Sequence, residues 1–174
     1  PLGWRFRCQL LLEAAKGIEY LHNRNLIHRD IKGENFLLTK DWQVKVSDLG
    51  MARPLIESSS TTMTICGTTE YMAPELMFDE AYHNPVDVYA FGMVIFEAMK
   101  RQKVGTGGFM DRSPADNFAF DEDAARGSLP DDAPVSLVEL AIQSLSYNDY
   151  DRPCSEDVAG WLEDLMSELP EDTE

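Results

Sequence analysis

The chain has 174 residues, 44% of them hydrophobic, which is enough to bury one core of ordinary size and predicts a single domain. Its formal net charge of -16 argues against a broad surface for nucleic acid or for an anionic membrane, because both need clustered Lys and Arg. No apolar run approaches the ~20 residues of a membrane span, and Cys8, Cys66 and Cys154 are too widely spaced for a zinc site or a disulfide framework.

The charge is divided unevenly along the chain. Residues 1–53 hold nine Lys and Arg against six Asp and Glu, a balance of +3, and residues 54–174 hold six against twenty-five, a balance of -19. A solvated acidic surface is the ordinary explanation of the second part, and a docking surface for basic partners is the alternative. With no leader or membrane span recognised, we expect an intracellular protein of the cytoplasm or nucleus.

The first predicted element is an amphipathic helix over residues 7–23. Its apolar positions recur at helical spacing: Leu10, Leu11, Ala14, Ala15, Ile18 and Leu21. Residues 27–35 are polar and irregular, and short strands are then predicted at residues 36–38 and 44–46 around a turn. Residues 57–70 are rich in Ser and Thr and read as a long loop.

A second helix is predicted to begin at Asn84-Pro85, with the Asn84 amide as N-cap and a proline at the first helical position. Its body is apolar nearly all round, which indicates a central, buried helix. A weak helix near residues 121–126 and two amphipathic helices over residues 135–145 and 155–169 follow, before an acidic tail at residues 170–174. The predicted fold is therefore mainly α, with one small β-hairpin beside a polar loop.

The polar loop carries the chemistry. Asp30, Lys32 and Asn35 lie within it, and Asp48 follows the second strand. Two carboxylates and a carboxamide supply the hard oxygen ligands that suit Mg²⁺, and a lysine can neutralise a phosphate group. Together they predict a phosphoryl-transfer site, in which Asp30 accepts a hydrogen bond from an attacking hydroxyl.

Each motif is weak alone, but six occur in one order: HRDxKxxN, a hairpin, DLG, GTTEYMAPE, DVYAFG, and an Arg-Pro that opens a late helix. In this the chain resembles the C-terminal lobe of eukaryotic-type protein kinases over nearly its whole length, with residues 1–169 as a partial kinase domain. The HRDIKGEN loop resembles the serine/threonine-specific form. The resemblance implies ATP and Mg²⁺ as cofactors and a protein substrate with Ser or Thr.

The resemblance also implies individual roles. Asp30 resembles the catalytic base and Lys32 the phosphate-stabilising lysine, while Asn35 and Asp48 resemble the metal ligands. In the nucleotide site, Leu37 resembles the adenine floor and Ser47 the position before the metal-binding Asp. The threonine of the GTxxY segment, which contacts base and lysine, corresponds to Thr68.

Four residues resemble structural parts of such a lobe. His28 corresponds to a packed histidine, Asp87 is expected to hydrogen-bond the catalytic-loop backbone, and Glu75 is expected to pair with Arg152. A phosphorylated residue in the loop between Ser58 and Thr64 is expected to pair with Arg29; the alternative is an unregulated flexible loop.

Three departures qualify the resemblance. Leu49 stands where most such kinases have Phe, Tyr89 where Trp is common, and Cys154 where Ser or Thr often caps the last helix. The stretch from FMDR to WLEDL resembles the tyrosine-kinase-like group, with LIM kinases and testis-specific kinases nearest.

The N-terminal β lobe, with its Gly-rich loop, is expected to be absent before Pro1, so the missing lobe becomes a partner and the isolated chain is predicted to be inactive. A truncated kinase-like lobe that acts as a binding or scaffold module is the alternative function.

Overall fold

A computed structural model describes residues 2–55 and 68–171 of the chain. Its first element, helix α1 (Trp4–His22), begins three residues before the predicted start and buries the predicted apolar face. The last helix, α6 (Ser155–Glu168), packs along α1, and Ile18, Val158 and Leu162 belong to the shared core. The two ends of the described chain therefore close one hydrophobic core.

Four short strands form two antiparallel pairs. Strands β2 (Phe36–Leu38) and β3 (Val44–Val46) form the predicted hairpin, with Phe36 opposite Val46. Strands β1 (Leu26–Ile27) and β4 (Arg53–Pro54) form a second pair that the sequence did not indicate, because two residues are too few to show a strand period.

The hairpin lies directly against α1. A Cβ atom added to Gly17 would come within 2.5 Å of Val46 Cγ2, so a glycine at this position allows helix and strand to approach closely. The hairpin and the end of α1 are thereby held beside each other on the side where the polar loop begins.

Helix α2 (Pro74–Met77) is a single turn, and helix α3 (Pro85–Lys100) is the buried centre that the sequence predicted. Asn84 stands at the predicted N-cap position before Pro85, but the predicted cap by its side chain is wrong. Its φ and ψ angles of -45° and -34° are helical, and within the described part of the chain its side chain makes no capping bond and its Oδ1 is buried without a hydrogen-bond partner. Asn84 thus continues the helical backbone, and Pro85 still occupies the first turn.

Three further helices complete the described fold. Helix α4 (Glu122–Ser128) is capped by Asp121, and helix α5 (Val135–Ser144) packs against α3. Helix α6 is capped by Cys154, whose sulfur accepts a hydrogen bond from Asp157 N while its own N–H donates to the Asp157 carboxylate. Between α3 and α4 the described chain forms only 3₁₀ turns.

The architecture confirms the mainly helical prediction with a small hairpin beside the polar loop. Within residues 2–55 and 68–171, no helix combines the length and the apolar character that crossing a bilayer requires. The Ser/Thr-rich loop predicted to carry phosphorylation, between Ser58 and Thr64, lies outside the described residues, as does Cys66.

Candidate active site

A buried carboxylate from α3 holds the polar loop in place. Asp87, 1% exposed, accepts hydrogen bonds at 2.8 Å from the backbone N–H groups of His28 and Arg29. His22, the last residue of α1, contacts the same carboxylate through Nε2 at 2.9 Å. Arg29 has a φ of 66°, a left-handed conformation that is unfavourable for a non-glycine residue, and these hydrogen bonds offset its cost. The predicted contact of Asp87 with the loop backbone is confirmed.

His28 connects the polar loop to the end of the hairpin. It is fully buried, its Nε2 lies 2.8 Å from the carbonyl oxygen of Ser47, and its Nδ1 lies 3.3 Å from the N–H of Asp30. The tautomer that satisfies both contacts has its proton on Nε2, so that Nδ1 accepts from Asp30. His28 therefore has a structural position, between the candidate base and the residue before Asp48.

The carboxylate of Asp30 is the point at which the other site residues meet. Oδ1 accepts hydrogen bonds from the backbone N–H and the hydroxyl of Thr68, both at 3.1 Å. Oδ2 accepts from Asn35 Nδ2 at 3.1 Å and forms an ion pair with Lys32 Nζ at 3.0 Å. The polar loop and the chain around Thr68 thus meet at one carboxylate, whose side chain is 10% exposed.

These contacts set the charge of Asp30. Burial raises the pKa of Asp30, but the hydrogen bonds from Lys32 and Thr68, the positive charge of Lys32 and the hydrogen bond from Asn35 together outweigh burial and leave the pKa below its ordinary value. Asp30 is consequently ionised at neutral pH, as a group that accepts a proton or a hydrogen bond must be.

Lys32 and Thr68 also contact each other. Lys32 Nζ donates to the Thr68 hydroxyl at 2.8 Å, so base, lysine and threonine form a closed triangle of polar contacts. The sequence predicted that Thr68 contacts both partners, and the structure confirms that contact. Within residues 2–55 and 68–171, both hydrogen bonds that Oδ1 of Asp30 accepts come from Thr68.

Asn35 and Asp48 present oxygen atoms that fit a divalent cation. In the described chain, the hydrogen bonds of the buried Asn35 side chain all leave from its amide nitrogen, toward the Asp30 carbonyl and carboxylate, so Oδ1 is available to bind a cation. The Asp48 carboxylate is exposed and accepts only from its own turn, at Gly50 N, 3.4 Å away, within the part of the chain that is described.

Ser47 connects the backbone of these two candidate ligands. Both its N–H and its hydroxyl donate to the Asn35 carbonyl oxygen at 2.9 Å, which brings Asp48 beside the loop. No cluster of three or more His, Cys, Asp and Glu side chains suited to a metal occurs among residues 2–55 and 68–171. One amide oxygen and one carboxylate instead fit a cation that keeps water and phosphate ligands, as Mg²⁺ does.

Two other predicted residues have a different setting. Leu37 is 55% exposed on β2, and no partner of its side chain is observed within the described chain. Arg29 donates through Nε to the Met51 carbonyl at 2.7 Å and through Nη1 to the Tyr82 hydroxyl at 2.9 Å. Its guanidinium is thus already anchored on two sides, and its predicted phosphate partner falls outside the described residues.

The segment that follows Thr68 is anchored to the rest of the fold by a buried ion pair. Arg152, whose side chain is fully buried, binds the Glu75 carboxylate at 2.6 and 2.8 Å, which confirms the predicted pair. The remaining guanidinium donors of Arg152 are used as well, and they bind the carbonyl oxygens of Pro85, Ser146 and Tyr147.

Sequence reasoning missed three residues near the site. His22 braces Asp87, Glu97 accepts from the Tyr71 hydroxyl at 2.6 Å, and Arg112 binds backbone carbonyls just after Thr68. Burial raises the pKa of Glu97, and the hydrogen bond from Tyr71 opposes the increase. Only Arg112 left a trace in the sequence, as the arginine of the FMDR stretch.

Comparison with known proteins agrees with this geometry. A family model described as the protein kinase domain matches residues 7–159. A probable serine/threonine-protein kinase of Dictyostelium discoideum is 34% identical over 99% of this chain and 40% of its own length. The probable serine/threonine-protein kinase kinX of the same organism is 33% identical over 97% of this chain and 15% of its own length.

A viral relative shows the same pattern. A putative serine/threonine-protein kinase/receptor of Acanthamoeba polyphaga mimivirus is 34% identical over 94% of this chain and 10% of its own length. The chain thus spans less than half the length of the curated relatives that it matches.

Proposed function

The chain belongs to the protein kinase domain family, and from this premise we propose that it is the catalytic lobe of a serine/threonine kinase that transfers the ATP γ-phosphoryl group to Ser or Thr hydroxyls of proteins. One observation carries the proposal: Lys32, Asn35 and Thr68 all bind the single carboxylate of Asp30. A cation and an amide that bind one ionised carboxylate can position the reacting groups and neutralise charge. These are the main requirements of phosphoryl transfer.

In this proposal Asp30 takes the proton of the attacking hydroxyl. Its Oδ1 is occupied by the Thr68 hydroxyl, so the substrate hydroxyl replaces that hydrogen bond when it approaches. Thr68 then keeps its bond from Lys32 Nζ, and its backbone N–H continues to hold Asp30. The substrate oxygen forms the new bond to phosphorus as the bond to the leaving diphosphate breaks.

Family members use ATP and a divalent metal ion. We propose Mg²⁺, held by the Asn35 and Asp48 oxygens described above, with Lys32 beside the transferred group. A bound cation of this kind neutralises phosphate charge. Ser47 keeps the backbone before Asp48 next to Asn35, so the two proposed ligands are joined before any cation binds.

The finer assignments rest on the sequence motifs. We propose that Leu37 lies under the adenine ring, that a β lobe which clamps ATP completes the site, and that the nearest subgroup is that of LIM and testis-specific kinases. We also propose that a phosphate between Ser58 and Thr64 pairs with Arg29. The anchoring of Arg29 by Met51 and Tyr82 supports this last proposal, because an already fixed guanidinium binds phosphate at little further entropic cost.

The test is the turnover of the complete protein that carries this chain, as wild type and as Asp30→Asn. Asparagine keeps the shape of the side chain but cannot take the proton, so we expect turnover to fall by about 10²–10⁴-fold, with only a small drop in melting temperature from the lost ion pair with Lys32. Asp41→Asn is the matched control, an exposed acid in the hairpin turn, and should keep full activity. A wild-type protein that binds partners without transferring phosphate would support the scaffold function instead.

A further inference from the structure

An arginine outside the predicted site binds the segment next to the base. Arg112 lies between α3 and α4, in a stretch that forms only 3₁₀ turns. Its Nη2 donates to three backbone acceptors within four residues, the carbonyl oxygens of Thr69 at 3.1 Å, Glu70 at 3.1 Å and Met72 at 2.7 Å, so that one of its two N–H groups is shared between two acceptors. We name residues 69–72 the carbonyl segment. One guanidinium group therefore binds three of the four carbonyl oxygens of the carbonyl segment.

The other side of the same guanidinium is fixed by the core helix. Arg112 Nη1 donates to the Tyr89 hydroxyl at 2.8 Å and to the Phe118 carbonyl at 3.3 Å. Tyr89 is 1% exposed, and burial raises its pKa although the charges of Arg112 and Arg152 oppose the increase, so the hydroxyl stays neutral and can accept. The most buried helix of the lobe thereby sets where Arg112 points.

Tyr89 also joins the two arginines that hold the region after the base. The guanidinium carbon of Arg112 lies 5.1 Å from the centre of the Tyr89 ring, and that of Arg152 lies 4.9 Å from it. Arg152 secures the Glu75 end through the buried ion pair, and Arg112 secures the carbonyl segment. A tryptophan at position 89 would supply a donor but no hydroxyl acceptor, so the bond from Arg112 depends on tyrosine.

The carbonyl segment begins where Thr68 binds Asp30. The Thr68 N–H and hydroxyl reach the base, and the three carbonyls held by Arg112 follow within four residues. A substrate hydroxyl that replaces the Thr68 hydroxyl at Asp30 would approach next to the residue at which this segment begins, so we infer that a protein substrate passes beside the segment. A water molecule that reacts at Asp30 does not need to contact the carbonyl segment. Comparing ATP hydrolysis with protein phosphorylation therefore distinguishes an effect on substrate binding from an effect on the chemical step.

We propose that Arg112, oriented by the Tyr89 hydroxyl, is a positioning residue that shapes the carbonyl segment to bind the protein substrate. The proposal rests on the kinase function proposed above. Arg112 contacts neither Asp30 nor Lys32 among its observed hydrogen bonds within the described residues, so it acts through the segment and leaves the phosphoryl chemistry to the polar loop.

The experiment separates these steps in the complete protein, with myelin basic protein as substrate. We measure the KM for that substrate, the KM for ATP, and ATP hydrolysis without a protein substrate. Arg112→Gln should raise the KM for protein about tenfold, the loss expected for removing charge-assisted hydrogen bonds, and leave ATP hydrolysis within about twofold. Arg112→Lys keeps the charge without the fork and should fall between.

Tyr89→Phe removes only the hydroxyl and should raise the KM for protein in the same direction by about two- to threefold. Because Tyr89→Phe removes a single oxygen atom and should still fold, its KM for protein tests the positioning role if Arg112→Gln does not fold. Arg5→Gln is the matched control: Arg5 also donates to two carbonyls, those of Met166 and Leu169, but at the α1–α6 contact. It should lower the melting temperature without changing either KM.

Two results would overturn the inference in an active kinase. One is an unchanged KM for protein in Arg112→Gln and Tyr89→Phe, and the other is a loss of ATP hydrolysis that matches the loss of protein phosphorylation. Failure of the proposed function gives a different result, because the wild-type protein would then transfer no phosphate, and the positioning role of Arg112 would be rejected with it.

Discussion

The two pieces of chain that meet at Asp30 are held by opposite chemistry. The polar loop is held through its N–H groups by one buried carboxylate, that of Asp87. The segment after Thr68 is held through carbonyl oxygens and a carboxylate by two guanidinium groups, those of Arg112 and Arg152. A buried aspartate thus holds the loop that carries Asp30, the proposed base, and two arginines hold the segment that follows Thr68.

The two kinds of anchor differ in how tightly they fix the backbone and in how far their side chains extend. A short aspartate on a buried helix leaves its partners almost no freedom, which suits a loop that must hold a base within hydrogen-bonding distance. An arginine has a long stem and five donors, so it can collect several carbonyls of an irregular segment from a distance. Substitutions on the loop side should therefore lower turnover together with stability, and those on the segment side should have the larger effect on stability or should weaken substrate binding.

The largest effect on stability is expected on the segment side. Arg152→Ala leaves the buried Glu75 carboxylate without its partner and should lower the free energy of unfolding by about 3–5 kcal/mol. Chemical denaturation measures this, and turnover should fall with it.

Arg126→Ala is the control for that prediction, because its pairs with Glu122 and Glu139 are exposed to solvent and contribute little to stability. Equal losses for the two variants would show that the Glu75–Arg152 pair does not anchor the segment.

On the loop side, Asp87→Asn puts an amide group where the carboxylate accepts three hydrogen bonds. We expect a loss of about 2–3 kcal/mol in the free energy of unfolding, because at least one buried donor loses its acceptor, and a fall in turnover as Arg29 relaxes from its left-handed conformation. Asp131→Asn, an exposed acid, is the control. Normal turnover at normal stability would remove Asp87 from the support of the loop.

A smaller effect is expected where loop and segment meet. Lys32→Met removes the cation next to Asp30, so the pKa of Asp30 should rise, and the side-chain carboxyl carbon signal in NMR titration reports it.

The sign for stability follows from that direction. Because the folded-state pKa of Asp30 is lowered, its contacts add stability above the ordinary aspartate pKa, and this stability is lost as pH falls through the folded-state value. In Lys32→Met that acid-dependent loss should shrink, and a pKa that stays the same or falls would show that Lys32 does not set the charge of the base.

Much of this arrangement could be predicted from the sequence. The helical stripe of α1, the apolar run of α3 and the alternation around the hairpin are local patterns, and the contacts of Asp87 and of the Glu75–Arg152 pair were expected from the motifs. The residues at the centre of the site were named because they fall in one loop and one strand end.

What the sequence could not indicate depends on distant contacts. The N-cap expected at Asn84 failed because the backbone there is already helical, which composition cannot reveal. The Met72 carbonyl that Arg112 binds lies 40 residues away in the sequence, and Tyr89 lies 23 residues away. No local sequence period links residues at these separations. The β1–β4 pair is equally nonlocal.

The proposed function requires that the polar loop and Asp48, just after β3, together bind a cation and the phosphates of a nucleotide beside Asp30. The most direct measurement is the anomalous scattering of Mn²⁺ in crystals of the complete protein grown with ADP. The account predicts a metal peak bonded to Asn35 Oδ1 and the Asp48 carboxylate. A peak that contacts neither residue, in a protein that holds the nucleotide, would contradict it.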